Sequence, residues 1–225
     1  MLRRYPALIF DFGNVVAHFD YAEACDKLGA GIGISGVELL QKARSAGLNP
    51  LVKRFESGQM EAEEFSGELC KILGVTVTHA EFAAAWADIF RLNEPLAQLV
   101  AALKAEDYRL VLGSNTNAIH ANHFRKQFAS ALAPFDRLVL SYQIGHVKPS
   151  LEFYQACAEA AEAPASACVF IDDLPENVEG ARAAGLQGLL FRDPPTLRAD
   201  LSRLGIAFRE VESGPRSKAV RSHRG

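Results

Sequence analysis

The chain has 225 residues, 49% of them hydrophobic and 23% charged, with a formal net charge of −3. That length suits one large domain, or one domain carrying a smaller insert, and the apolar share is enough to build a core without disulfide or metal staples. The mild negative charge excludes a general nucleic-acid binder or a strongly membrane-seeking surface, and no stretch approaches the roughly 20 apolar residues of a membrane helix.

The first element is a short apolar run, Ala7 to Phe10, that stops abruptly at Asp11, the pattern of a buried parallel strand. Gly13 and Asn14 break it. From about His18 to Phe90 the periodicity becomes helical, with expected helices at Tyr21–Leu28, Val37–Ala46, Pro50–Glu56, Ala62–Leu73 and His79–Phe90. Glycines punctuate these helices and no convincing strand lies among them. Strands and helices then alternate. Helix Pro95–Ala105 leads to strand Arg109–Gly113, helix Ala118–Ala129 to strand Arg137–Ser141, and helix Leu151–Glu162 to strand Cys168–Ile171. Helix Pro175–Ala184 leads to strand Gly188–Phe191, and a last helix is expected near Thr196–Leu204. Alternation of this kind predicts an α/β fold with a parallel sheet covered on both faces. The expected organisation is a core of residues 1–17 and 91–212, a helical subdomain at 18–90, and a polar, basic tail at 213–225 without stable structure.

Arg3 and Arg4 precede only a short apolar run, which is not the pattern of a secretory signal, so a cytoplasmic protein is expected. Cys25, Cys70, Cys157 and Cys168 are scattered, with no C-x-x-C, and read as buried apolar residues in a reducing compartment.

Ligands of open parallel sheets sit outside the carboxyl ends of the strands. Asp11 follows the first predicted strand and Ser114-Asn115 the second. The third ends at Ser141, with Lys148-Pro149 a few residues on, and Asp172-Asp173 follow the fourth. Three carboxylates, a hydroxyl, an amide and a lysine thus converge on one edge. Carboxylates brought together from such distant positions repel unless a cation sits among them, and all-oxygen ligation points to Mg²⁺. Singly, each has an ordinary structural reading as a cap, turn or loop residue. It is their order on successive strand ends that points to a site.

The segments L-I-F-D-F-G-N-V-V (8–16), V-L-G-S-N-T-N (111–117), G-H-V-K-P-S-L-E-F-Y (145–154) and V-F-I-D-D-L-P-E-N-V-E-G-A-R-A-A-G (169–185) resemble the four motifs of the haloacid dehalogenase superfamily. The D-x-G-N start is similar to that of its sugar-1-phosphate phosphatase-type members. The resemblance implies a Rossmann-like three-layer sandwich, with the 18–90 insert as a helical cap over the site. It implies an enzyme in which Asp11 attacks phosphorus and forms an aspartyl-phosphate. Ser114, Asn115 and Lys148 would bind the phosphoryl group, with Lys148 also neutralising charge on the nucleophile. Asp11, the Gly13 carbonyl, Asp172 and Asp173 would hold Mg²⁺. Asn177 would either fix the Asp172-Asp173 loop or stand as a surface helix residue. The implied substrate is a small phosphorylated metabolite, such as a sugar phosphate.

One position departs from the family pattern. Its phosphatases carry a second aspartate two residues after the nucleophile, which protonates the leaving group, and here that residue is Gly13. General acid–base assistance is worth about 10²–10⁴-fold. Three readings follow: a phosphatase favouring good leaving groups or borrowing a proton donor, a 2-haloacid dehalogenase, or a non-catalytic relative that binds a ligand or partner. His18, close to the motif and suited to acid–base work near neutral pH, is the first candidate donor. Substrate choice is expected from the insert, where His18, Asp20, Lys53, Arg54, His79 and Trp86 are candidates to face the cleft.

Overall fold

The computed structural model describes residues 3–30 and 32–209. The 213–225 tail lies outside the described residues. Five parallel strands form the core sheet: β1 (Ala7–Phe10), β4 (Arg109–Ser114), β5 (Arg137–Leu140), β6 (Cys168–Asp172) and β7 (Gln187–Leu190), in the order β5-β4-β1-β6-β7. The first strand is central and the chain winds outward from it in both directions, the doubly wound arrangement.

Side-chain alternation along β1 divides the core. Ala7 and Ile9 face one side, packed with Phe153, Tyr154, Cys157 and Ala181 of α10 (Leu151–Ala160) and α11 (Pro175–Ala183). Leu8 and Phe10 face the other, with Leu99 and Leu103 of α6 (Glu94–Ala105), Phe124 of α7 (Ala118–Gln127) and Leu201 of α12 (Pro194–Arg203). All four β1 residues are buried, which is why the strand reads as continuously apolar. Cys25, Cys157 and Cys168 are buried, Cys70 is half-buried, and all four are free thiols. Among the described residues no helix is long and apolar enough to cross a membrane.

Five helices intervene before the chain returns to the sheet: α1 (Tyr21–Ala30), α2 (Gly36–Ser45), α3 (Asn49–Glu56), α4 (Ala62–Leu73) and α5 (His79–Ala87). Local chemistry sets several of their ends. Ser35 with Glu38, and Thr78 with Glu81, close capping boxes that start α2 and α5, and Gly74 in the left-handed region ends α4. Their interior is aromatic, with Phe55 stacked on Phe65 at 4.2 Å and Phe82 on Trp86 at 5.4 Å.

The expectation of no strand in this region is corrected. The insert enters and leaves through a two-stranded antiparallel sheet, β2 (Ala17–Phe19) with β3 (Phe90–Leu92), Ala17 opposite Leu92. Phe90, expected as the end of a helix, is therefore a strand residue, and α5 stops at Ala87. Smaller differences appear in the core. The helix expected at 118–129 is divided at Phe128 into α7 and α8 (Ala129–Leu132), and Ser141 opens the single turn α9 (Ser141–Ile144) instead of closing β5.

The insert and the core share one apolar cluster. At the seam of α5 on α7 the ring of His120 stacks on Trp86 at 5.8 Å and 9°. Asn117 Nδ2 donates to His120 Nδ1 (3.1 Å), which leaves Nε2–H to donate to the Trp86 carbonyl (3.0 Å). The acceptor role of Nδ1 requires the neutral imidazole, and burial pushes its pKa down to about 4 against the opposing pull of the bond to the Trp86 carbonyl.

Candidate active site

Strand register brings the acids together. Phe10 pairs with both Leu112 and Ile171, so Asp11 stands level with Gly113 on one side and Asp172 on the other. The Asp11 backbone N–H still donates to the Ile171 carbonyl (2.9 Å), holding the residue at the sheet edge. Lys148, on the loop after α9, extends its amine between the two carboxylates. Nζ lies 2.6 Å from Asp11 Oδ1, 2.7 Å from Asp172 Oδ2 and 3.3 Å from the Gly113 carbonyl. All three side chains are buried, so these are charge-assisted bonds in a low-dielectric setting.

The electrostatics follow from that burial. Removal from water raises the Asp11 carboxyl to about 7, with Asp172 adding to the rise and Lys148 opposing it. For Lys148 burial alone favours the neutral amine, but Asp11 and Asp172 outweigh it and hold the ammonium above the ordinary lysine range. Asp173, half-buried, is raised by burial and pulled back by its bond from Asn14. Each of Asp11, Asp172 and Asp173 offers an oxygen within 4.8 Å of the others. Three carboxylates so close, facing one lysine, leave an excess of negative charge that a divalent cation would offset. The residues therefore fit Mg²⁺.

The surrounding groups differ in how much of them is free. Asp172 is fully engaged: Oδ2 meets Lys148, while Oδ1 accepts from the Leu174 N–H and from Asn177 Nδ2, each at 2.9 Å. Asn177 is buried and its carbonyl accepts from Tyr154 Oη at 2.7 Å, so its side chain belongs to the Asp172 loop rather than to the surface. Asp173 is held more loosely, one carboxylate oxygen accepting from Asn14 Nδ2 (3.2 Å). Asn14, in the left-handed region at φ 55°, is a site residue not singled out in the sequence. The D-x-G-N spacing was its only signal. The Gly13 carbonyl accepts no hydrogen bond among the described residues.

Ser114 ends β4 and is buried, with Oγ making one long bond of 3.3 Å to the Asn115 carbonyl. The Asn115 side chain is committed elsewhere. Its Oδ1 accepts from the Lys148 N–H (2.8 Å) and its Nδ2 donates to the Lys148 carbonyl (3.2 Å). It thereby pins the loop that carries the lysine. Ser141 Oγ accepts from the Thr116 N–H and donates to the Thr116 carbonyl, tying the ends of β4 and β5 together.

A cleft of about 660 Å³ opens over Lys148, Asn115 and Asn177, and its other wall is α3 of the insert, through Asn49, Val52, Lys53 and Glu56. Among the insert candidates, Lys53 faces this cleft. Arg54 pairs with Glu64 at the surface, and His79 Nδ1 bonds Ser66 Oγ. Trp86 is buried, Asp20 caps the start of α1 at the surface, and His18 is exposed on β2.

Three carboxylates and one lysine thus meet at the carboxyl edge of a doubly wound sheet that carries a helical insert after its first strand. The family model for haloacid dehalogenase-like hydrolases matches residues 5–185, and the chain belongs to that family. The D-ribitol-5-phosphate phosphatase of Bacteroides thetaiotaomicron is 27% identical over 187 residues, covering 80% of this chain and 88% of that enzyme. The structure of a predicted HAD-like hydrolase from Porphyromonas gingivalis superposes with a TM-score of 0.70 at 26% identity, over 91% of this chain and 98% of its own. A family enzyme of B. thetaiotaomicron in complex with magnesium and inorganic phosphate gives a TM-score of 0.70, over 84% of this chain and 95% of its own. Its 24% identity speaks to the fold alone.

Proposed function

We propose that the protein is a Mg²⁺-dependent phosphohydrolase acting on a small phosphorylated metabolite, a sugar or polyol phosphate being the favoured class, with Asp11 as nucleophile. The observation that carries this reading is the buried Lys148 ammonium bonded to both Asp11 and Asp172 at the carboxyl edge of the sheet. Phosphoryl transfer asks mainly for positioning and charge neutralisation, and this arrangement supplies both. The phosphatase relative supports the reaction class and the substrate class.

An Asp11 carboxylate oxygen attacks phosphorus, the bond to the leaving oxygen breaks, and an aspartyl-phosphate remains. Water then attacks the same phosphorus and returns the Asp11 carboxylate with release of phosphate. Lys148 orients Asp11 and offsets charge on the transferring group, and Ser114 Oγ donates to a phosphoryl oxygen. Asn115 and Asn177 hold Lys148 and Asp172 in place. Mg²⁺ would be held by Asp11, Asp173 and the Gly13 carbonyl, with Asp172 beside them. When bound, it would supply positive charge against the phosphoryl oxygens and let the acids stay ionised together.

The test is a screen of phosphorylated metabolites and 4-nitrophenyl phosphate, with Mg²⁺ and with excess EDTA. Phosphate release that needs the metal is expected. Halide release from a short 2-haloacid without phosphate release would replace this reading with the dehalogenase one.

A further inference from the structure

The proposed reaction lacks a proton donor where the family places one. Gly13 has no side chain, and the space a side chain would enter is taken: a Cβ there would meet Phe19 Cε1 at 3.0 Å and Cδ1 at 3.3 Å. Lys148 spends its protons on two carboxylates. His120 is sealed between Trp86 and Asn117, and His18 is exposed and not among the residues lining the cleft. The titratable side chains that line the cleft are Lys53, Glu56, Lys148 and Glu176.

Of these, Lys53 and Glu176 are exposed, and Glu56 is half-buried. Among the described residues the Glu56 carboxyl takes part in no hydrogen bond or salt bridge, although it stands near enough to Lys148 and to the Tyr21 hydroxyl to act on both electrostatically. Its position relative to the core is set mechanically. Two residues on, Gly58 adopts φ +68° and lies so close to α9 that a Cβ would come within 2.2 Å of the Tyr142 carbonyl oxygen. The end of α3 is thus seated directly on the core, and it carries Glu56 into the wall of the cleft that Lys148 also lines.

We propose that Glu56, borne by the insert, is the proton donor to the leaving oxygen, in place of the acid missing at Gly13. This rests on the phosphohydrolase reading above. As Asp11 attacks phosphorus and the bond to the leaving oxygen breaks, the Glu56 carboxyl gives its proton to that oxygen, which departs as an alcohol. The Glu56 carboxylate then takes a proton from the water whose oxygen attacks the aspartyl-phosphate, the P–O bond to Asp11 breaks, and Glu56 is again a carboxyl. Burial supports this role by pushing the carboxyl up to about 7, against the pull of Lys148. The group is therefore substantially protonated at neutral pH.

The experiment measures kcat/KM for phosphate monoesters graded by leaving-group pKa, from nitrophenyl to alkyl, in wild type, Glu56→Gln and Glu56→Asp, with thermal unfolding of each. Glu56→Gln is expected to lose about 10²–10³-fold on alkyl esters and far less on nitrophenyl esters, steepening the leaving-group dependence. The decline of alkyl-ester hydrolysis above about pH 7 should vanish with it, and Glu56→Asp should restore part of the rate. An equal loss across the series, or an unchanged dependence and pH profile, overturns the proposal while leaving Asp11-dependent hydrolysis intact. No hydrolysis of any ester by the wild type overturns the phosphohydrolase reading and this one with it.

Discussion

The ring of Phe19 lies against Gly13, at 3.0 Å from where a Cβ would stand. Phe19 belongs to β2, so the strand that opens the insert fills the space an aspartate side chain at this position would need. Gly13→Asp must push the ring aside. Phe19 is 38% exposed and has room to move, so the overpacking cost is expected at the low end of its range, about 1 kcal/mol. Denaturant unfolding of Gly13→Asp and of Gly13→Asp with Phe19→Ala checks this. The strain should appear in the single variant and be relieved in the double one, and an additive pair would contradict it.

Stability should fall with acid through His120. Its folded pKa of about 4 lies below the ordinary 6.5, so the unfolded chain binds the extra proton between these values. The stabilisation is complete above about pH 6.5 and lost as pH drops toward 4, a change on the order of 3 kcal/mol at most. Urea unfolding across this window should show the slope, and His120→Gln should remove most of it. An unchanged slope in the variant would mean other groups control the acid limb.

Gly58→Ala places a methyl against the Tyr142 carbonyl at a residue with positive φ. Strain of both kinds should cost about 1–3 kcal/mol, and the end of α3 should lift from α9. A fall in kcat that exceeds any rise in KM is expected, because Glu56 moves with that turn. A variant of wild-type stability and kcat would show that the contact positions nothing.

Mg²⁺ should bind the resting protein. Titration calorimetry and a raised unfolding temperature with added metal would report it independently of turnover, since a ligand of the folded state stabilises by mass action. Asp173→Asn should lower metal affinity at least tenfold and shrink both effects, as it neutralises the half-buried acid of the three that Lys148 does not bond. Equal affinity in wild type and variant would exclude Asp173 from the ligand set.

Much of this arrangement was legible because β1 and β6 are buried on both faces and their apolar runs end abruptly at Asp11 and Asp172. A parallel sheet then leaves those ends nowhere to go but the same edge. The strands β2 and β3 were not legible. Three residues each are too few to show a period of two, and their partners lie on opposite sides of the insert. Glu56 was invisible for a different reason. At the end of an amphipathic helix it reads like any solvated glutamate, and only the seating of α3 on α9 places it over the cleft. The Asn115 side chain gives both its bonds to the backbone of Lys148, which leaves its backbone N–H for the expected phosphate contact. Sequence spacing cannot separate a group that touches substrate from one that holds its neighbour.

The nucleophile is the centre of the account, and mass mapping of peptides after acid quench during turnover of a nitrophenyl phosphate tests it most directly. A phosphoryl group on the peptide carrying Asp11, absent from Asp11→Asn, with that variant folded and inactive, is the predicted result. Phosphate release without modification of Asp11, or sustained turnover by Asp11→Asn, would contradict it.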